Sequence, residues 1–525
     1  MDNDTDFAAE STSGSRTANT MRVMSWTLAG KLAGVVRGSV IAALLGAGVW
    51  GDAYSAAMAL PNALFSLLNQ GLSSVTVPYF HERSGEAPEL LTALTRLVVA
   101  VMVPFAIVLA ILAPHYLPIF HKLTPGGLRD ASQLSWIFDL WLVPLALASV
   151  WTGRLNAARR FVPLSAANLV RSGSILLLIL ALAKLLNLGL IGIASAFMGG
   201  ALLQLLYLWP ATAPFRRPSP ESWRRVREVL RLMPGQLTSS VVGQVNFLVD
   251  QAFAASLTQG MLFELFNAGN FLELPVSLFG QSLATVLFPD FAVHADNRDP
   301  EGLVRAVDRA LYLTWVATLP IAALLIGLSR PVTTIIYGYG RYAQPSILAT
   351  TASIVAAYAG SLIFRTMQQF IVRAFYVYKN TQILARISLI AMVMNAALDY
   401  FLMRLMGGPG IALSTTIVGA LYFLFSLILM ERLLLRGRSI RIGPYLSVLV
   451  IALPIAPLAY FLSRHSLSRA RLEDLLVVLV VGGLLVGMYV LAIWLFGGPR
   501  GKDAVNLLRR VLRRVAFRLQ GTERR

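Results

Sequence analysis

The stretch Leu67–Phe80 reads LLNQGLSSVTVPYF, and Leu278–Phe291 reads LFGQSLATVLFPDF. Superposed at a constant offset of 211 residues, they share Leu67/Leu278, Gln70/Gln281, Leu72/Leu283, Val75/Val286, Pro78/Pro289 and Phe80/Phe291. Two further echoes follow at slightly larger offsets. Gly192-Ile193-Ala194 returns as Gly410-Ile411-Ala412, and Gly200-Ala201-Leu202 as Gly419-Ala420-Leu421. A drifting offset is what loops of unequal length produce in an internal duplication. The repeated segment is greasy enough to enter lipid, yet it carries Gln, Ser and Thr.

The rest of the chain sets the solvent for that repeat. Its 525 residues are 56% hydrophobic and 14% charged, with mean hydropathy +0.67, too little polar surface to cover a water-soluble globule. Apolar runs of about 20 residues, enough to cross a hydrocarbon core of about 30 Å at 1.5 Å per residue, recur along nearly its whole length. About 14 such runs can be read. They fall at 26–48, 53–80, 91–113, 134–153, 163–183, 188–210, 229–257, 262–291, 311–329, 346–375, 383–403, 410–431, 445–462 and 475–496. None alternates every second residue as a barrel strand would, so the reading is an all-α polytopic membrane protein. The duplication groups the first twelve spans into two pseudo-symmetric six-helix lobes, and six being even, both lobes enter the membrane in the same direction. Spans 13 and 14 form an appended C-terminal hairpin. The expected organisation is a disordered N-terminus at 1–20, a first lobe at 21–213, a basic linker at 214–231, a second lobe at 232–435, the hairpin at 436–497 and a basic tail at 498–525.

A formal net charge of +19 tempts one toward nucleic acid, but its placement argues against such a partner. With both termini cytoplasmic, about 31 of the Lys and Arg fall on cytoplasmic segments, about nine on outer ones and about five inside spans, which is the positive-inside bias. In the tail, Val505, Leu508, Val511, Leu512, Val515 and Leu519 recur at helical spacing among Arg509, Arg510, Arg513 and Arg514. Such a helix can lie on anionic lipid, although juxtamembrane arginines more often serve only as topology determinants. No cleavable signal peptide is expected, because the first span is long and interrupted by Lys31 and Arg37, as in a signal anchor.

Polar residues inside the spans are few and patterned. Asn62, Ser66, Asn69, Ser73 and Thr76 follow one another at steps of three and four, which lines one face of a helix. Asn267, Asn270, Glu273 and Ser277 do the same in the eighth span, with Glu273 over Asn62 and Ser277 over Ser66 at the repeat offset. Such stripes either glue helices together or line a cavity, and a carboxylate favours the cavity. Lys31 and Arg37 project roughly 120° apart on the first helix. Asp52 sits at the Gly-rich turn between the first two spans, where it can pair with a cation or simply be solvated. Asp250 and Glu273 are candidates for a cation site or for pairing with Lys31 or Arg37. Arg171, Arg365 and Arg386 are read as snorkelling or filling gaps between helices more often than as lining a pathway.

Catalytic patterns are missing. The sequence holds no cysteine, which excludes disulfides, thiolate metal sites and Cys nucleophiles. It shows no phosphate loop, no HExxH, no acidic metal cluster and no Ser-His-Asp order. Outer loops of at most about 20 residues leave no room for an extracellular catalytic domain. The expectation is a transporter, not an enzyme, with no metal and no cofactor.

The run GAGVWGDAYSAAMALPNALFSLLNQGLSSVTVPYF at 46–80 resembles the signature region of the MurJ/MviN lipid II flippases, and so do RLNAARRFVPLSAANLV at 154–170 and FNAGNFLELPVSLFGQSLATVLFPDF at 266–291. The resemblance covers almost the whole chain. It implies the fold of the multidrug/oligosaccharidyl-lipid/polysaccharide exporter superfamily: two six-helix lobes in a V, a central cavity that opens alternately to each side, and a groove in the last two helices for a lipid tail. The family's basic first-helix residues fall on Lys31 and Arg37, its Asp at the following turn on Asp52, and its eighth-helix Glu on Glu273. Two family arginines are absent, because Phe65 and Ser66 follow L-P-N and Asn270 precedes the Glu. The implied substrate-binding set is Lys31, Arg37, Asp52, Asn62, Ser66, Asn270 and Glu273, with ion coupling at Asp250 and Glu273.

The function so implied is alternating-access flipping of a polyprenyl-diphosphate-linked saccharide, foremost lipid II, across the bacterial inner membrane. Membrane lipids and cell-wall synthesis proteins are the expected partners. Alternatives are a drug/cation antiporter, a paralogue moving another saccharide, and a non-transporting scaffold for envelope synthesis.

Overall fold

A computed structural model describes residues 3–82, 87–277, 291, 293–294, 299–378, 381–435, 437–464 and 471–506. The second copy of the repeated motif, apart from Phe291, and the arginine-rich end of the tail lie outside the described residues. All regular structure among them is helical. In chain order the helices are α1 (Asn3–Leu45), α2 (Val49–Glu82), α3 (Ala87–Phe120), α4 (Pro125–Ala157), α5 (Phe161–Leu178), α6 (Gly189–Thr212), α7 (Pro220–Ala255) and α8 (Met261–Pro275). They continue as α9 (Pro300–Gly327), α10 (Ser329–Tyr337), α11 (Pro345–Val377), α12 (Thr381–Met406), α13 (Gly408–Leu433), α14 (Gly443–Ala452), α15 (Ile455–Arg464) and α16 (Arg471–Phe496).

Among the described residues, 11 helical segments are long and apolar enough to cross a membrane. They coincide with eleven of the expected spans. The other three expected spans are α2, α7 and α8, and α2 and α8 are the helices that carry the polar stripes. Residues 3–20, expected as disordered, belong to α1: the chain has no proline before Pro61, and the helix propagates until Gly46 adopts φ 69°. The thirteenth span is broken into α14 and α15 around Pro454, whose ring removes a backbone donor.

Helix starts follow local chemistry. Thr124, Ser219 and Asp299 each precede a proline and cap α4, α7 and α9, accepting from the N–H groups of Gly127 at 3.2 Å, Ser222 at 3.3 Å and Gly302 at 2.8 Å. The cap at Ser219 starts α7 inside the basic segment 214–231.

The chain divides into two compact units, one formed by residues 1–266 with 339–342 and the other by 267–338 with 343–525. In the first, α2 packs on α4 and α7, α3 on α4 and α7, α4 on α6, and α1 and α6 on α5. Its centre is aromatic: Tyr54, Phe138, Trp141 and Phe197 meet with ring centroids 5.6–6.4 Å apart, mostly edge to face. In the second, α9 packs on α11 and α15, α11 on α13, and α12 on α13. The hairpin helices are tied to α9 by polar handles. Trp315 Nε1 donates to the Tyr445 carbonyl at 3.1 Å, and the Tyr489 hydroxyl donates to the Val316 carbonyl at 2.9 Å.

Candidate functional site

The turn between α1 and α2 explains much of the GAGVWGD sequence. Gly46 and Gly340 both adopt positive φ, and a Cβ on Gly340 would sit 2.3 Å from the Ala43 carbonyl oxygen, so this contact needs glycine. Arg341 lays its guanidinium 4.6 Å from the centroid of the Trp50 ring. The turn that precedes α8 arrives at the same place, with Gly260 at φ 93° and room for no Cβ against Ala47.

Asp52, only 7% exposed, closes this junction. Its carboxylate accepts from the backbone N–H of Gly260 at 2.6 Å and of Phe263 at 3.1 Å. The first turn of α2 thus caps the first turn of α8, where a negative charge also meets the positive end of the helix dipole. Both oxygens are engaged by backbone; neither the cation partner nor the solvation expected from sequence is what the geometry supplies.

Lys31 and Arg37 of α1 are half-buried. Arg37 holds its guanidinium 5.1 Å from the centroid of Phe197 on α6. Gly30 lets α1 approach α5 closely, a Cβ there meeting the Leu169 backbone nitrogen at 3.1 Å, whereas Gly34 and Gly38 face open space.

The α2 stripe is partly glue. The Ser66 hydroxyl accepts from Gln244 Nε2 of α7 at 3.2 Å, and Asn69 Oδ1 accepts from the Ser149 hydroxyl of α4 at 3.2 Å. Thr76 is buried and bonds back to the Leu72 carbonyl, while Asn62 is half-buried. The Ser73 side chain lies outside what is described. Asp250 is buried on α7.

On α8 the stripe diverges along its length. Asn267 is buried and its carbonyl accepts from the Tyr337 hydroxyl at 2.9 Å, whereas Asn270 and Glu273 are exposed. Glu273 is paired with Arg365 of α11, a residue read from sequence as a gap filler. Of the predicted set, therefore, Lys31, Arg37, Asp52, Asn62, Ser66 and Asp250 belong to the first unit, and Asn270 and Glu273 to the second.

Two fully buried carboxylates escaped the sequence reading. Asp399 on α12 is fully buried and accepts from Asn395 Nδ2 at 2.8 Å and from the Ser414 hydroxyl of α13. Asp139 on α4 is likewise fully buried, with Tyr116 of α3 and Ser135 beside it. The available signal was simple: each is a lone acid within an apolar span.

An all-helical bundle with polar stripes on apolar helices, a permanently charged side chain held inside a span and carboxylates buried at span depth has the build of a polytopic transporter. The solved structures agree at the level of fold. The chain superposes on "Lipid II flippase MurJ, inward closed conformation" with TM-score 0.77 at 20% identity, over 90% of this chain and 98% of that one. It also superposes on an inward-facing multidrug resistance MATE family transporter of the MOP superfamily with TM-score 0.65 at 15% identity, over 79% and 96% of the two chains.

Sequence relatives narrow the class. Proteins described as "Probable lipid II flippase MurJ" match from Synechocystis at 28% identity over 455 residues (81% of this chain, 84% of that one) and from Rhizobium meliloti at 26% over 526 residues (93% and 95%). The model of the family "Lipid II flippase MurJ" matches residues 41–480, and the chain belongs to that family.

Proposed function

We propose that the protein moves a polyprenyl-diphosphate-linked saccharide, foremost lipid II, between leaflets of the bacterial inner membrane by alternating access. The observation that carries this reading is Arg37: a permanently charged guanidinium kept half-buried on an apolar span, against the face of Phe197. A cation held in so costly a place is suited to a diphosphate, which it can engage through two parallel N–H bonds while its ring contact fixes its orientation. Lys31, on the same helix, supplies a second positive charge to the headgroup. Asn62, Ser66, Asn270 and Glu273 are the candidates for hydrogen bonds to the saccharide. Asp250 and Glu273 are the candidate ion-coupling carboxylates, and the hairpin of α14–α16 is the surface for the lipid tail.

The chain is read as fourteen spans arranged in two six-helix lobes with that hairpin. Both termini and the 214–231 segment lie in the cytoplasm, and cell-wall synthesis proteins are its partners. Reporter fusions after Pro214 and after Pro499 check the topology, an outward signal from either overturning it.

The function is tested with vesicles containing only this protein and a labelled polyprenyl-diphosphate sugar, together with complementation of cells depleted of their own lipid II flippase. The wild type moves the lipid and rescues growth; Arg37→Ala abolishes both while remaining folded in the membrane, and Arg37→Lys is intermediate. A well-expressed wild type that moves no such lipid would sink the reading.

A further inference from the structure

The first unit contains a second guanidinium that its packing does not explain. Arg171 of α5 lies 5.7 Å from the centroid of Phe65 on α2 and within electrostatic range of Arg37. Two like charges brought together in an apolar bundle repel one another, an arrangement that an anion beside either of them relieves. Beneath Arg171 is a cavity of about 300 Å³ whose polar walls come from Asn69, Asn156, Asn168 and Gln204. Among the described residues that line it there is no carboxylate.

Two buried polar atoms of this cavity, Arg171 Nε and Gln204 Oε1, have no hydrogen-bond partner, and Gln204 is only 4% exposed. The ring contact occupies the face of the guanidinium and leaves its in-plane donors free to point elsewhere. Asn69 and Asn168 are exposed, while Gln204 is buried. A cation and several amides around a half-open cavity at the small end of the ligand-pocket range suit a phosphate-bearing fragment with sugar hydroxyls, not a whole lipid.

We infer that this cavity is an anion site in which Arg171, with Gln204, Asn156 and Asn168, holds the diphosphate end of the substrate. The assignment of the anion to the transported lipid rests on the flippase reading; the anion site itself does not.

The test uses the purified full chain in lipid nanodiscs, with farnesyl diphosphate, farnesol and inorganic pyrophosphate as probes. Farnesyl diphosphate binds and farnesol does not. Arg171→Gln weakens the diphosphate by about 10–150-fold, the range for loss of a charge-assisted hydrogen bond. Asn156→Asp, which places a carboxylate in the wall, weakens it as well, while both variants retain the thermal midpoint of the wild type. Adding Phe65→Arg to Arg171→Gln recovers binding, an outcome that a merely structural Arg171 would not give.

Equal affinity for pyrophosphate identifies a site for the phosphate group itself, and preference for the farnesyl form identifies a lipid headgroup site; each supports an anion site. Unchanged diphosphate affinity in folded Arg171→Gln and Asn156→Asp overturns it. The two proposals fail separately. Arg171-dependent pyrophosphate binding without lipid movement removes the flippase reading alone, and Arg37-dependent lipid movement with binding indifferent to Arg171 removes the anion site alone.

Discussion

Replacing Asp52 by alanine separates a structural from a substrate-binding role for the acid of the GAGVWGD turn. In the native junction its carboxylate accepts two backbone N–H groups, of Gly260 at 2.6 Å and of Phe263 at 3.1 Å. Alanine leaves both donors facing a site that is 7% exposed in the native protein, and no backbone carbonyl can take over at a helix N-terminus. An orphaned buried donor costs about 1–3 kcal/mol, so the pair costs about 2–5 kcal/mol after some water enters the space. Asp52→Asn retains one acceptor oxygen but turns an NH₂ toward the other donor, and falls between wild type and alanine.

The effect is read from the thermal unfolding midpoint of the full chain in detergent and from hydrogen exchange at the Phe263 amide. The midpoint falls in the order wild type, Asn, Ala, and exchange at Phe263 accelerates in the same order. An Asp52→Ala protein with an unchanged midpoint and a protected Phe263 amide would show that the cap contributes nothing. An Asp52→Asn protein of full stability that no longer transports would instead give the carboxylate to the substrate.

Three further measurements follow from the same geometry. Glu273 and Arg365 are paired but roughly half exposed, so a double-mutant cycle with Glu273→Gln and Arg365→Gln gives a stability coupling of at most about 1 kcal/mol, and a much larger one would place the pair in a dry environment. Single cysteines at Asn62, Ser66, Asn270 and Glu273, in a chain with no native thiol, react with a water-soluble maleimide, whereas one at Leu272, 1% exposed, does not; uniform silence at all four polar positions would make the stripes packing glue. His121, in the turn between α3 and α4, is buried with Nδ1 unpartnered, and burial pushes its imidazole down from 6.5 to about 4. Between those values the unfolded chain takes up a proton that the folded one refuses, so stability is present above pH 6.5 and declines as the pH falls toward 4. The variant His121→Gln should flatten this part of the pH–stability curve, and an unaltered slope would locate the acid sensitivity elsewhere.

Membrane residence, helical architecture and family membership could all be read in the order of the amino acids, because each rests on patterns that neighbouring residues write together. Apolar runs of span length need no knowledge of a partner, and eleven of the expected spans are helices of that kind. The stripe of α2 was likewise visible as a periodicity, and the departures at Phe65 and Asn270 were visible as missing charge. What each polar residue touches was not. Asp52 was open to a cation or to water on sequence grounds; its partners are the amides of Gly260 and Phe263, more than 200 residues away, and a backbone N–H has no letter in a sequence. Arg365 looked like a gap filler until α11 laid it against Glu273, and Arg171 like a snorkelling cation until α5 carried it over Phe65. Hydrophobic periodicity decides which face of a helix turns inward, since burial depends on the side chain alone; the pairing of charges and hydrogen bonds depends on distances of a few ångströms between helices, and those are set only when the whole bundle packs.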